Sequence, residues 1–524
     1  LGTFSRFWRA LSAPRAQAPP SHCQLAMGMR IWEGPESLRP MVLTNIERYT
    51  EPSTRKVRRA MAMSLDPECV VPGHTLVYMD ANDPPTTQAA FAKRVCGEIP
   101  RFDPDLLDEL RAFVQVWLAA HIAPVTPLSF EEWLLSTTYP ESRKQELRDA
   151  HDQLRGMPPS EWQRRKIQCF QKTEGYPALK NARMINSRSD YFKAWSGPYF
   201  KAIEQEVYRQ EEFIKHVPVC DRAAKVAALK RSGLRYWQTD FTAFEAHFVP
   251  EVMRAVECEL YRHCLPTHPA AAAVICETIT GVNDMRTRGG FRVSVKGRRM
   301  SGDMCTSLGN GFTNLMLAKF CAAKQGYELS GFVEGDDGLF ATRADLKASM
   351  YAKLGFRIKI DEVAQPTEAS FCGMVFADSG EIIKDPKKFI ASFGWSTSFV
   401  GAGPVLRHEL LRAKALSAVY EAPQCPIFGA MARRALVITR GVKPRFINDG
   451  YHQAPPDEGP LPPFSPSADT RSLFERLYGV SVETQLECER RIGAGDWSIS
   501  GLVPPPADLA WYTARYVERK PVRA

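Results

Sequence analysis

GFVEGDDGLF, residues 331–340, sets two adjacent carboxylates, Asp336 and Asp337, between glycines and inside apolar flanks. The pattern predicts a hairpin tip. Residues 329–333 and 339–342 can each form a short strand, and Gly335 and Gly338 supply the φ freedom a tight reversal needs. Side chains of neighbouring residues on a straight strand point to opposite faces, so an Asp pair serves one site only where the chain turns. Two carboxylates held close raise each other's pKa, and a divalent cation between them relieves the repulsion. An ordinary Asp-Gly turn in solvent has the same composition, so the stretch needs company to mean more.

Two further stretches supply it. RYWQTDFTAFEAHF, residues 235–248, carries Asp240 at the end of a β-prone run and Glu245 five residues later. RRMSGDMCTSLGNGFTNLMLAKF, residues 298–320, is a Ser301-Gly302 loop entering a helix with Thr306 and Asn310. On that helix Leu308, Phe312, Leu315, Met316 and Phe320 form an apolar face, while Thr306, Asn310 and Asn314 recur at four-residue spacing. A polar row facing a ligand and a polar row facing solvent both fit.

In order and spacing these three stretches resemble motifs A, B and C of the RNA-dependent RNA polymerases of positive-strand RNA viruses, nearest the tombusvirus-like and flavivirus-like group. The combined pattern is far more specific than any one motif. The resemblance implies an α/β (α+β) right-hand fold with fingers, palm and thumb. It implies two Mg²⁺ or Mn²⁺ ions held by Asp240, Asp336 and Asp337, and RNA-templated transfer of ribonucleotides to an RNA 3′ end to replicate a viral genome. Ser301, Thr306, Asn310 and Glu245 become candidates for contacting the ribose. Related chains usually carry Asp at the Glu245 position, paired with the Asn of motif B. The extra methylene of Glu moves the acceptor by roughly 1.5 Å.

RRKIQCFQKTEGYPALKNARMINSRSD, residues 164–190, resembles motif F of the fingers. An incoming triphosphate needs cations, and Lys172, Lys180 and Arg183 are the candidates, with Glu174 orienting one of them. Between residues 155 and 200 nine Lys and Arg face three Asp and Glu, and between 286 and 300 six basic residues face no acidic one. Together these surpluses exceed the chain's net +9, so positive charge is concentrated where phosphate contact is expected. GFRVSVKGRR, residues 290–299, alternates as a strand pair with one basic face open to template or primer phosphates.

Beyond the Asp pair, a helix over 346–354 and the strand FRIKI resemble motif D, where Lys353 or Lys359 is a candidate general acid toward the departing pyrophosphate. Residues 370–395 read as a β-hairpin resembling motif E. Domain boundaries follow: an N-terminal arm over 1–40, fingers over 41–235, palm over 236–395 with a fingers excursion at about 265–300, and a helical thumb over 396–524, interrupted by a Pro-rich stretch at 455–466. Helices are expected over 104–154, with Ser129 as an N-cap, and over about 250–264.

The chain has 524 residues, 44% of them hydrophobic, and no apolar run able to span a bilayer. Its 13 cysteines include no C-x-x-C, which favours free thiols, and the spacing of Cys258, His263, Cys264 and His268 fits no zinc site. Leu1 in place of an initiator Met suggests a processed, trimmed or read-through product. By the resemblance, the partners are RNA template and product, ribonucleoside triphosphates and other viral replicase proteins. The location is host cytoplasm, at membrane-bound replication complexes reached through other viral segments. A reverse transcriptase is the rival enzyme, but its usual aromatic residue two places before the Asp pair is here Glu334, and it lacks the Thr306 and Asn310 arrangement. A catalytically silent RNA-binding scaffold is the remaining alternative.

Overall fold

The computed structural model describes residues 63–502, except 73–76, 79–86, 88–89, 92, 96–98, 173, 177–181, 288–290, 448–460 and 462. Before residue 63 it describes only the backbone of three short strands, His22–Gln24, Arg30–Trp32 and Ile46–Arg48. Apart from the first two of these strands, the N-terminal arm expected over 1–40 lies outside the described residues, as do Lys180 and most of the Pro-rich stretch.

Four antiparallel strands form the central sheet in the spatial order Leu329–Glu334, Asp337–Thr342, Arg235–Phe241, Ile358–Val363. Both faces are apolar because the strands alternate between two cores rather than between core and water. Trp237, Phe241, Val333 and Phe340 pack with Leu308, Phe312 and Leu315 of the helix Thr306–Ala323. Tyr236, Phe332, Leu339 and Ala341 pack on the other side with Phe371, Met374 and Phe376 and with the C-terminal helices Pro404–Glu421 and Phe428–Ile438. A sheet covered on both faces has a strongly specified register, since a one-residue slip would exchange the two sets.

The predicted hairpin tip is present. Glu334 and Asp337 form its closing pair, and Gly335-Asp336 is a two-residue turn with Gly335 at φ +63°, the conformation its first position demands. Gly338 serves differently from expectation. It lies inside a strand, where a Cβ would come within 2.5 Å of Thr239 Oγ1, so it permits close strand approach rather than a turn.

A second sheet of five strands runs Ile46–Arg48, Phe291–Lys296, Val282–Thr287, Lys166–Gln171, Met184–Arg188. The basic segment 164–190 is thus joined, through a parallel pairing, to the hairpin that precedes the Ser301-Gly302 loop. Its basic face stays open: Arg292 and Lys296 are exposed, although Arg292 is paired to Asp284 at 2.8 Å. Just beyond the strand, Arg299 is fully buried against Glu257.

Three other expectations need adjustment. The helix expected over 250–264 is broken at Val256 into Pro250–Ala255 and Glu257–Cys264. The helix expected over 346–354 shortens to Ala348–Lys353. In 370–395 only Val375–Phe376 and Ile382–Ile383 pair as a hairpin. Asp385 then caps a helix by accepting from Lys387 N, with Pro386 at its first position, so Pro386–Ser392 is helical. Ser129 caps Phe130–Leu135 as expected, in a full capping box with Glu132.

The loop before the long helix is fastened by a buried ion pair. Arg188 donates to Asp303 from Nε at 3.0 Å and from Nη2 at 2.8 Å, and its Nη1 reaches Asn283 Oδ1 and the Arg164 carbonyl. Removing one member of such a pair leaves an uncompensated buried charge. Arg188→Ala is therefore expected to destabilise the protein by about 3–5 kcal/mol in urea unfolding; a loss below about 1 kcal/mol would show that the pair is dispensable.

Candidate active site

The register places the carboxylates before any side chain is considered. Lys359 pairs with Asp240, Gly338 with Thr239 and Glu334 with Asp337. One step beyond the Gly338–Thr239 pair, Asp337 lies opposite Asp240. Glu334, Asp337, Asp240 and Lys359 therefore form a row across one face of the sheet, and Asp336 projects from the turn beside it.

Like charges directly opposite on neighbouring strands repel, and the titration behaviour records this. Burial, then Asp336, Asp240 and Glu334, push the Asp337 carboxyl up to about 7. Asp240 is raised too, by partial burial first and by Asp336 second. Glu334, at one end of the row, is held by Arg222 Nη1 at 2.9 Å, and Cys372 donates to the same oxygen. At the other end Lys359 reaches along its own strand to Asp361 at 2.5 Å. Lys353, the other candidate acid, ends its helix exposed and shares no register position with the carboxylates.

Asn314 explains the third member of the polar row. It is fully buried, and its Nδ2 donates to the carbonyls of Gly335, Asp336 and Asp337 at 3.3, 3.2 and 3.1 Å. The long helix thus holds the turn that carries the Asp pair. Sequence spacing had singled out Asn314 but assigned it no partner.

The other motif B candidates separate by role. Ser301 donates to the Met184 carbonyl at 2.9 Å, and Thr306 donates to the carbonyls of Asp303 and Met300. Both hydroxyls fasten the loop. Asn310 is part-exposed; its Oδ1 accepts from Arg299 Nε at 2.9 Å, and among the described residues its Nδ2 meets no partner. Glu245 lies on a 3₁₀ turn and its Oε1 meets Arg94 Nη1 at 3.2 Å. Glu245 and Asn310 are not bonded to each other, contrary to the pairing that the resemblance implies. Each is held by its own arginine.

In the basic segment Glu174 joins both described cations. Lys172 Nζ lies 2.8 Å from its Oε1, and Arg183 grips both oxygens. Burial alone would raise this carboxyl, but Arg183 and Lys172 hold it down at about 2. Arg188, Asp303, Arg299 and Glu257 escaped the sequence reading. Nothing in spacing distinguishes a buried arginine from a phosphate-facing one.

Crowded hard carboxylate oxygens suit Mg²⁺ or Mn²⁺. Among the described residues no group of three or more His, Cys, Asp or Glu side chains is placed to hold a metal ion by itself. Mg²⁺ commonly takes one or two carboxylates and completes its shell with water and substrate phosphates.

A carboxyl whose pKa rises on folding, here from 3.8 to about 7, binds a proton in the fold where the unfolded chain has lost it. Its contribution to stability falls as pH rises from about 4 to about 7. The melting temperature of metal-free protein should lose ground to that of Asp337→Asn across this window, and added Mg²⁺ should close the gap at pH 8. Parallel melting curves would contradict the crowding. Asn314→Ala should lower kcat about tenfold, the loss of roughly one hydrogen bond, with little change in nucleotide KM; single-turnover extension measures both, and an unchanged kcat would mean the turn holds itself.

No curated protein matches the chain. The family described as viral RNA dependent RNA polymerase matches residues 90–383, more than half of the chain and the whole of both sheets apart from the Ile46–Arg48 strand. The match spans all three motif stretches, and this chain belongs to the viral RNA-dependent RNA polymerases and is an RNA-directed RNA polymerase of the right-hand fold.

Proposed function

We propose that the enzyme replicates a viral RNA genome by two-metal nucleotidyl transfer, with Asp240 and Asp336, assisted by Asp337, holding two Mg²⁺ or Mn²⁺ ions. The observation that carries this is the cross-strand row, which puts Asp337 opposite Asp240 beside the turn that bears Asp336. When bound, the ions supply Lewis-acid charge for the 3′-hydroxyl and for the leaving pyrophosphate.

The protein's own groups do the rest by position and charge. Lys172 and Arg183, with Lys180, meet the triphosphate; Arg183 can grip phosphate bidentately once it exchanges Glu174 for substrate. Lys359, next to Asp240 in the row, is the better placed general acid, and Asp361 holds it until pyrophosphate leaves. Asn310 and Glu245 read the ribose, and Ser301 and Thr306 hold the loop that presents Asn310. Template and product are held through their backbones, because a replicase copies any sequence. Among the described residues no helix is long and apolar enough to cross a membrane, and attachment to membranes would fall to other replicase proteins.

A reverse transcriptase is disfavoured by Glu334, which is tied to Arg222 where an aromatic residue is usual. Primer extension on an RNA template with ribonucleotides, and then with deoxyribonucleotides, tests the whole assignment. Asp336→Asn and Asp240→Asn should each nearly abolish ribonucleotide addition while RNA binding persists. Near-normal extension by either variant would remove the two-metal assignment, and a preference for deoxyribonucleotides in the parent would remove the replicase reading.

A further inference from the structure

Arg299, like Arg188, is a charged side chain in the interior. It sits two residues before Ser301, with 1% of its side chain exposed, against a Glu257 carboxylate that is wholly buried. Its guanidinium stacks over Phe248 at 4.2 Å, its Nη2 donates to Glu257 Oε2 at 2.8 Å, and its Nη1 points at Cys305 Sγ at 3.5 Å. Gly309 leaves room for the pair. A Cβ there would lie 2.5 Å from Glu257 Oε2 and 2.6 Å from Arg299 Nη2, so the long helix carries glycine where alanine would favour it more. A buried ion pair with removal costs this large does not explain itself by stability.

Two bonds of Arg299 reach the candidate sugar readers. Its backbone N–H donates to the Glu245 carbonyl at 3.0 Å, and its Nε donates to Asn310 Oδ1 at 2.9 Å. Arginine has five donors and no acceptor. The amide oxygen of Asn310 must therefore face Arg299, and its NH₂ must face away. Glu245, an acceptor only, has Arg94 on Oε1, and among the described residues its Oε2 meets no donor. A ribose 2′-hydroxyl accepts from an N–H and donates to a carboxylate at once, whereas a deoxyribose carbon does neither.

We propose that Arg299 is the positioning residue of sugar selection: it fixes the amide of Asn310 donor-outward and anchors the backbone of Glu245, so that the pair presents one donor and one acceptor to the 2′-hydroxyl. This rests on Asn310 reading the sugar. A site built to bond a hydroxyl rejects the analogue lacking it because its polar groups are left unpaired, and that rejection fails when the donor can turn away.

The test is kcat/KM for matched ribo and deoxy substrates on the full chain. Arg299→Lys keeps a cation for Glu257, but a single ammonium lacks the fixed fork that serves Glu257 and Asn310 together. It should lower the ribo-to-deoxy preference about tenfold, the loss expected of one well-aimed hydrogen bond. Efficiency with ribonucleotides should fall while efficiency with deoxyribonucleotides is largely kept, which general destabilisation would not produce. In an Asn310→Ala background, Arg299→Lys should leave the preference unchanged. Should the lysine variant fail to fold, Glu257→Leu with Arg299→Met replaces the ion pair by apolar volume, commonly a tolerated exchange, and carries the same expectation. A parental preference in a folded Arg299 variant, while Asn310→Ala has lost it, overturns the positioning role alone. A further drop caused by Arg299→Lys in the Asn310→Ala background overturns it as well. A parental preference in Asn310→Ala itself removes the sugar reading and this proposal with it.

Discussion

Asp337 and Asp240 stand opposite each other because the sheet around them is apolar on both faces. Each strand must place one set of large side chains against the long helix and the other against the C-terminal helices. A slip in register would exchange these sets and misfit large side chains in both cores, at about 1–3 kcal/mol for each overpacked position, which together outweighs the repulsion of two carboxylates. The hydrophobic cores thereby hold the acidic row in an arrangement its own electrostatics oppose. The raised Asp337 carboxyl is the trace of that conflict. Lys359 at one end of the row and Arg222 beyond Glu334 at the other, with Lys388 and Arg94 nearby, offset the crowding only in part, so Asp337 and Asp240 stay raised.

The second constraint is the loop from Met300 to Thr306, which connects the two sheets through buried charge. Arg188 with Asp303 ties it to the five-stranded sheet, and Arg299 with Glu257 ties its entrance to the helices behind the four-stranded one. Hydroxyls of Ser301 and Thr306 complete the attachment through backbone carbonyls. Residues that a motif search treats as ligand contacts are here used in part to hold the backbone. The arrangement leaves Asn310 with an amide donor that meets no partner among the described residues, and leaves Asn314 to support the Asp turn from beneath. One helix thus carries the proposed sugar reader and the support of the Asp turn, one turn apart.

The basic segment shows how far local charge differs from available charge. Counting residues predicts a strongly cationic surface, yet Glu174 holds both Lys172 and Arg183, Asp284 takes Arg286 and Arg292, and Glu257 takes Arg299. The pairs at Glu174 and Asp284 are part-exposed, and such pairs contribute little to stability, so a polyanion can displace those carboxylates at small cost.

Local chemistry and spacing determined the hairpin tip, the capped helices, the three motifs and through them the enzyme class, because turns, caps and paired carboxylates are written in residues near one another. The sequence also pointed to Asn314 as a polar residue on a helix with an apolar face. What it did not contain was pairing between distant segments. That Lys166–Gln171 runs parallel to Val282–Thr287, that Glu245 meets Arg94, and that Arg299 turns inward to Glu257 are decided by which surfaces the folded cores bring together. An arginine is the same residue in a phosphate cleft and in the interior. Only the tertiary structure supplies the carboxylate that draws it one way, since that carboxylate comes from another part of the chain and its attraction exists only after both have been removed from water.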